Sequence, residues 1–101
     1  MNAQGSPGAE AKVADPLVVE LRAAITSVDR ELLAAVNRRL ELVRRLHEHK
    51  LATGMPLRDP ERESSLLAEL RAGNQGPLSS AGVDAFFVHL IELVRRELHG
   101  D

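Results

Sequence analysis

Arg39 occupies a position that the surrounding sequence reserves for an apolar side chain. Val18, Leu21, Ile25, Val28, Leu32, Ala35, Leu42 and Leu46 follow one another in steps of three and four, and the missing member of the series falls on Arg39. Lys50, eleven residues on, returns to nearly the same face after about three turns. Glu63 repeats the oddity, sharing a helical face with Leu66, Leu67 and Leu70 while Arg62 stands beside it. A cation among apolar groups is costly unless it meets a partner or an anionic ligand. A pair of Arg forks with a Lys is suited to a small dicarboxylate, because the bidentate guanidinium orients what it binds. The competing explanation is structural. Arg39 then pairs with an internal acid, Lys50 stretches its stem to water, and Arg62 and Glu63 form a solvated first turn.

Distances along a helix restrict how these groups can cooperate. Arg39 and Lys50 are about 16 Å apart along the axis, a gap that two long side chains can narrow around a small ligand. Arg22, also near the apolar stripe, is about 25 Å from Arg39. It cannot serve the same site in its own chain, but in an antiparallel dimer it reaches the partner's.

Other chemistries find no support. The 101 residues contain no Cys, which rules out disulfides, thiolate metal sites and a Cys nucleophile. His47 and His49 face different ways on a helix, His89 and His99 stand alone, and no metal site is expected. No Ser lies in a nucleophile-elbow context and no Gly-rich phosphate loop is present. The net charge is −2 and the pI is about 6.1, against the basic balance of a nucleic-acid binder. Two Phe are the only aromatics, too few for base stacking. Arg44-Arg45 and Arg95-Arg96 read as solvated or subunit-contact charges. No apolar run is long enough for a membrane span. Met1–Gly8 has neither a basic start nor an apolar stretch, so a soluble, cytoplasmic chain without a signal peptide is expected.

The elements that must position these residues are helices. Residues 1–15, rich in Gly, Ala and Pro and without periodicity, read as a disordered tail, and 16–101 as one helical domain. No Gly or Pro interrupts Leu17–Thr53, which predicts a single long helix closed by Gly54 and Pro56. Asp59 is suited to cap a second, short helix with Pro60 in its first position, ending near Gly73. After the Asn74–Pro77 loop, Ser79 or Ser80 caps a third helix. Its inward face is Val83, Phe86, Phe87, Leu90, Ile91, Val94 and Leu98. The fold class is all-α: long, short, medium. The first helix would be roughly 50 Å long, whereas a compact chain of this size has a radius of gyration near ~13 Å. Its apolar stripe therefore outruns any core the chain can build alone. An intertwined homodimer forming a helical bundle answers that.

At this point the residues resemble a known family. Leu21-Arg22-Ala23-Ala24-Ile25, Val28-Asp29, Glu31-Leu32-Leu33, Asn37-Arg38-Arg39-Leu40-Glu41-Leu42, Lys50 and Pro56-Leu57-Arg58-Asp59-Pro60-Glu61-Arg62-Glu63 are similar, in type and spacing over about residues 17–70, to the small all-helical chorismate mutases. The resemblance implies an enzyme of the shikimate pathway that rearranges chorismate to prephenate without a cofactor. It implies that Arg22 reaches across from the partner subunit to a substrate carboxylate and that Arg39 binds the other. Lys50 would then hydrogen-bond the ether oxygen and a carboxylate, Glu63 with the backbone near Asp59 would take the ring hydroxyl, and Arg62 would help hold the carboxylate end.

The third helix departs from the family pattern. Where many relatives carry a Ser and, a turn later, a Gln donating to the ether oxygen, this chain has Val94 and Leu98. Glu97 could replace the Gln only after a one-residue shift and only when protonated. The sequence ends at Asp101, earlier than many relatives. In this it is similar to actinobacterial members that are activated by docking onto heptulosonate-phosphate synthase. Two alternatives stay open: an isochorismate pyruvate lyase or aminodeoxychorismate mutase using the same carboxylate clamps, and a non-catalytic helical interaction or regulatory module whose inward charges are interhelical salt bridges.

Overall fold

A computed structural model describes residues 15–100 and contains three helices: α1 (Pro16–Thr53), α2 (Pro60–Gly73) and α3 (Ser80–His99). Their order and lengths agree with the periodicity. The tail expected over residues 1–15 lies outside the described residues except for Asp15, which caps α1. Its Oδ1 accepts the backbone N–H groups of Leu17 (2.9 Å) and Val18 (3.4 Å), so the first free donors of the helix are satisfied.

The chain divides into two units, Met1–Arg39 and Leu40–Asp101. The described part of the first is the N-terminal portion of α1 alone. Its stripe of Leu17, Leu21, Ile25, Val28 and Leu32 is exposed, Ile25 to 59%. A single helix that leaves so much apolar surface in water gains nothing from the hydrophobic effect there.

In the second unit, α1 ends in a Schellman closure. Gly54 adopts φ +73°, Met55 N–H donates to the Lys50 carbonyl at 2.8 Å, and Gly54 N–H donates to that of Leu51 at 3.4 Å. Asp59 then caps α2 by accepting the Arg62 N–H at 3.0 Å, with Pro60 in the first turn. Asn74 shapes the next loop from both sides: its Nδ2 donates to the Leu78 carbonyl (2.7 Å) and its Oδ1 accepts from Gly76 N–H (3.2 Å). Of the two candidate caps for α3 it is Ser79 that accepts the Gly82 N–H, at 2.9 Å.

The second unit is built by α3 lying on α2. Val83, Leu90 and Val94 form its buried core, and Arg71 of α2 pairs with Asp84 of α3 at 2.6 Å. The seven-residue inward face read from the sequence is wider than this core. Phe87, Ile91 and Leu98 are half-buried, and Phe86 is 41% exposed, set edge-on to Phe87 with ring centroids 5.1 Å apart. One short helix covers only part of an apolar arc that spans more than its own width.

Candidate active site

α1 carries three of the cations read from the sequence. Arg22 lies exposed in the first unit. Arg39 is half-buried, and among the described residues no carboxylate lies within ion-pair distance of it. Loss of hydration pushes its guanidinium below the ordinary arginine value. Lys50, half-buried in the second unit, sits in the last turn of α1, where the Schellman closure fixes its backbone. Its Nζ donates to the Leu57 carbonyl at 3.4 Å, tying the ammonium to the turn before α2. Arg44, by contrast, spends its charge on Glu41 and Glu48 of its own helix in full solvent.

α2 supplies the acids. The Asp59 carboxylate is occupied in capping the helix. Arg62 is exposed and, at 4.0 Å, only loosely associated with Glu69. Glu63 is half-buried and flanked by two cations: its Oε2 accepts from Arg95 of α3 at 3.1 Å, and its Oε1 lies 3.8 Å from Arg58. Arg95, grouped with Arg96 among charges expected in solvent or at a subunit contact, instead turns toward α2, while Arg96 is exposed. On α3, Val94 is buried, only 4% exposed, while Leu98 is half-buried and Glu97 is exposed. The helical period places Arg95 at the edge of the apolar arc, four residues after Ile91 and three before Leu98, and Arg96 on the far side; the packing of α3 on α2 says what Arg95 meets.

A second grouping escaped the sequence reading. His47 and His99 stack with ring centroids 5.4 Å apart and planes 16° from parallel, and the buried Nδ1 of His47 has no hydrogen-bond partner among the described residues. Loss of hydration, then the positive fields of His99, Lys50 and Arg95, lower the His47 pKa from 6.5. The folded state therefore resists a proton that the unfolded chain accepts. The stability tied to neutral His47 is complete above pH 6.5 and is lost as pH falls through that value toward the lower folded one. Replacing His47 with Phe should flatten the dependence of the urea midpoint on pH between about 7 and 5. An unchanged slope would assign that dependence to other groups. Among the described residues no three His, Asp or Glu side chains converge as ligands of a metal ion would, and no helix is long and apolar enough to cross a membrane.

The sequence profile of the type II chorismate mutases matches residues 21–98, a span that contains Arg22, Arg39, Lys50, Asp59, Arg62, Glu63 and Glu97. The chain belongs to the type II chorismate mutase family. Two solved chorismate mutase structures from Thermus thermophilus are similar to it in fold. Form I superposes with a TM-score of 0.75 at 30% identity, covering 76% of this chain and 96% of that one. Form II gives 0.74 at 30% identity, covering 76% and 88%. Over 51 residues the chain is also 49% identical to the T-protein of Enterobacter agglomerans, a match covering 50% of this chain and 14% of that protein's length. All-α chorismate mutase architecture, in the order long, short, medium helix, is thus established for this chain.

Proposed function

We propose that this protein is an isomerase converting chorismate to prephenate, acting as a cytoplasmic homodimer in phenylalanine and tyrosine biosynthesis. The observation that carries the reading is Arg39, a half-buried cation with no carboxylate partner among the described residues, on a chain of this family. A structural ion pair within the chain would show its acid. A cation kept without one is explained by an anionic ligand.

The rearrangement is pericyclic: no proton moves and no nucleophile is required. The protein must hold the substrate in its compact diaxial form and stabilise negative charge growing on the ether oxygen. Arg39 binds one carboxylate, Lys50 meets the ether oxygen and a carboxylate, and Glu63 accepts the ring hydroxyl. Asp59 contributes through the adjacent backbone and Arg62 assists at the carboxylate end. Arg22 comes from the second copy, which also covers the exposed stripe of α1. On α3 the burial of Val94 and the exposure of Glu97 leave the ether oxygen without the usual neutral donor. This supports a stand-alone rate below that of relatives possessing one; docking onto heptulosonate-phosphate synthase, which the family resemblance implies, would raise it.

Purified protein should consume chorismate and release prephenate, faster with added synthase, and should bind a bicyclic dicarboxylate mimic of the transition state. Chorismate left unchanged under both conditions, with no binding of the mimic, overturns the reading. A lone-protein efficiency unaffected by the synthase removes only the docking part.

A further inference from the structure

The ion pair between α2 and α3 has a consequence for the proposed site. Arg95 has a side chain 24% exposed and Glu63 one 31% exposed, and their contact joins residues 32 positions apart in sequence. The Arg95 guanidinium is held at both ends: one nitrogen donates to Glu63 Oε2 at 3.1 Å, the other to Glu92 Oε2 at 2.9 Å. Its neighbour Val94 is among the most buried side chains of the core. That burial sets the rotation of α3 and hence the direction of the side chain that follows. A guanidinium fixed in this way presents its fork at one angle, so the carboxylate it meets is fixed too. The two oxygens of Glu63 then differ. Oε2 is committed to Arg95, while Oε1, 3.8 Å from Arg58, makes no hydrogen bond among the described residues and keeps its acceptor capacity.

We infer that Arg95 is a positioning residue for the mutase reaction, pinning one oxygen of Glu63 so that the other faces the substrate hydroxyl. This rests on the proposed chorismate reading and adds to it a contribution from α3 that replaces no donor to the ether oxygen. The hydroxyl is vicinal to the ether bond that breaks but keeps its own bonds through the rearrangement, so its contact is made in both ground and transition states. Its loss therefore falls mainly on KM.

The test is a double-mutant cycle on the intact protein with chorismate as substrate. Arg95→Met keeps the apolar stem and should raise KM about tenfold with kcat little changed. Arg95→Lys, which keeps a donor and the charge, should recover most of the loss. In a Glu63→Gln background, Arg95→Met should cost almost nothing further, since the group it positions is already altered. Arg96→Ala, at an exposed site outside the machinery, serves as the control and should match the unaltered protein. A structural role for Arg95 would instead lower the active fraction, and so the apparent kcat, without moving KM. It would also add to the effect of Glu63→Gln. Either of those results, or an Arg95→Met variant with unchanged kinetics, overturns the inference while leaving the mutase reading intact. Failure of the unaltered protein to turn over chorismate overturns both.

Discussion

Arg39→Met should turn over chorismate at least about a hundredfold more slowly than the unaltered protein, without loss of thermal stability. The first half follows from what a fixed cation does in a water-poor site. A clamp on the carboxylate holds the substrate in its compact reactive form, and losing that orientation costs about a hundredfold in rate. The second half separates a binding cation from a structural one. Removing one member of a buried ion pair leaves an uncompensated charge and destabilises the fold. Arg39 has no such partner among the described residues, and its charge is already penalised by lost hydration. Taking the charge away relieves that penalty, so the melting temperature should hold or rise. Lys50→Gln should show a comparable fall in turnover. Its ammonium also touches the Leu57 carbonyl, so some loss of stability is expected there as well. Near-normal chorismate turnover in either variant would show the site assignment to be wrong.

Mixing the inactive Arg22→Ala and Arg39→Ala proteins should restore activity. Arg22 and Arg39 lie on one helix about 25 Å apart, too far for both to touch one small dicarboxylate. If Arg22 serves the partner's site, an Arg22→Ala chain paired with an Arg39→Ala chain has one doubly altered site and one unaltered site. Random exchange makes about half the dimers mixed. The recovered activity should then approach about a quarter of that of the same amount of unaltered protein. Each variant alone should stay near background. No recovery, with exchange verified by mass spectrometry of the dimers, would mean that Arg22 does not complete the site across the interface.

How much of this was visible beforehand differs from residue to residue. The α2 cap was readable because Asp59, Pro60 and the acids of the first turn form a local signal, and local signals need no tertiary context. The same holds for Gly54, whose left-handed backbone closes α1. Arg39 was legible for a related reason: a break in a periodic apolar stripe is itself a one-dimensional feature. The extent of burial on α3 was not. Phe86 belongs to the apolar arc but is exposed, because periodicity locates side chains around an axis without saying how much of the arc a neighbouring helix covers. Arg62 and Glu63, adjacent in sequence, also part company. Arg62 is exposed, whereas Glu63 is half-buried and bonded to Arg95 of α3.

The amino-acid order by itself determined the helices, their ends and the cations set among apolar neighbours, since hydrogen bonds and capping act over four or five residues and the helical period does the rest. Only the tertiary structure decided that Arg95 meets Glu63, and that His47 stacks on His99. Those partners are 32 and 52 positions apart. Which partner a side chain at the edge of the arc meets depends on how α3 settles when Val83, Leu90 and Val94 find cover, a packing outcome that no local rule contains.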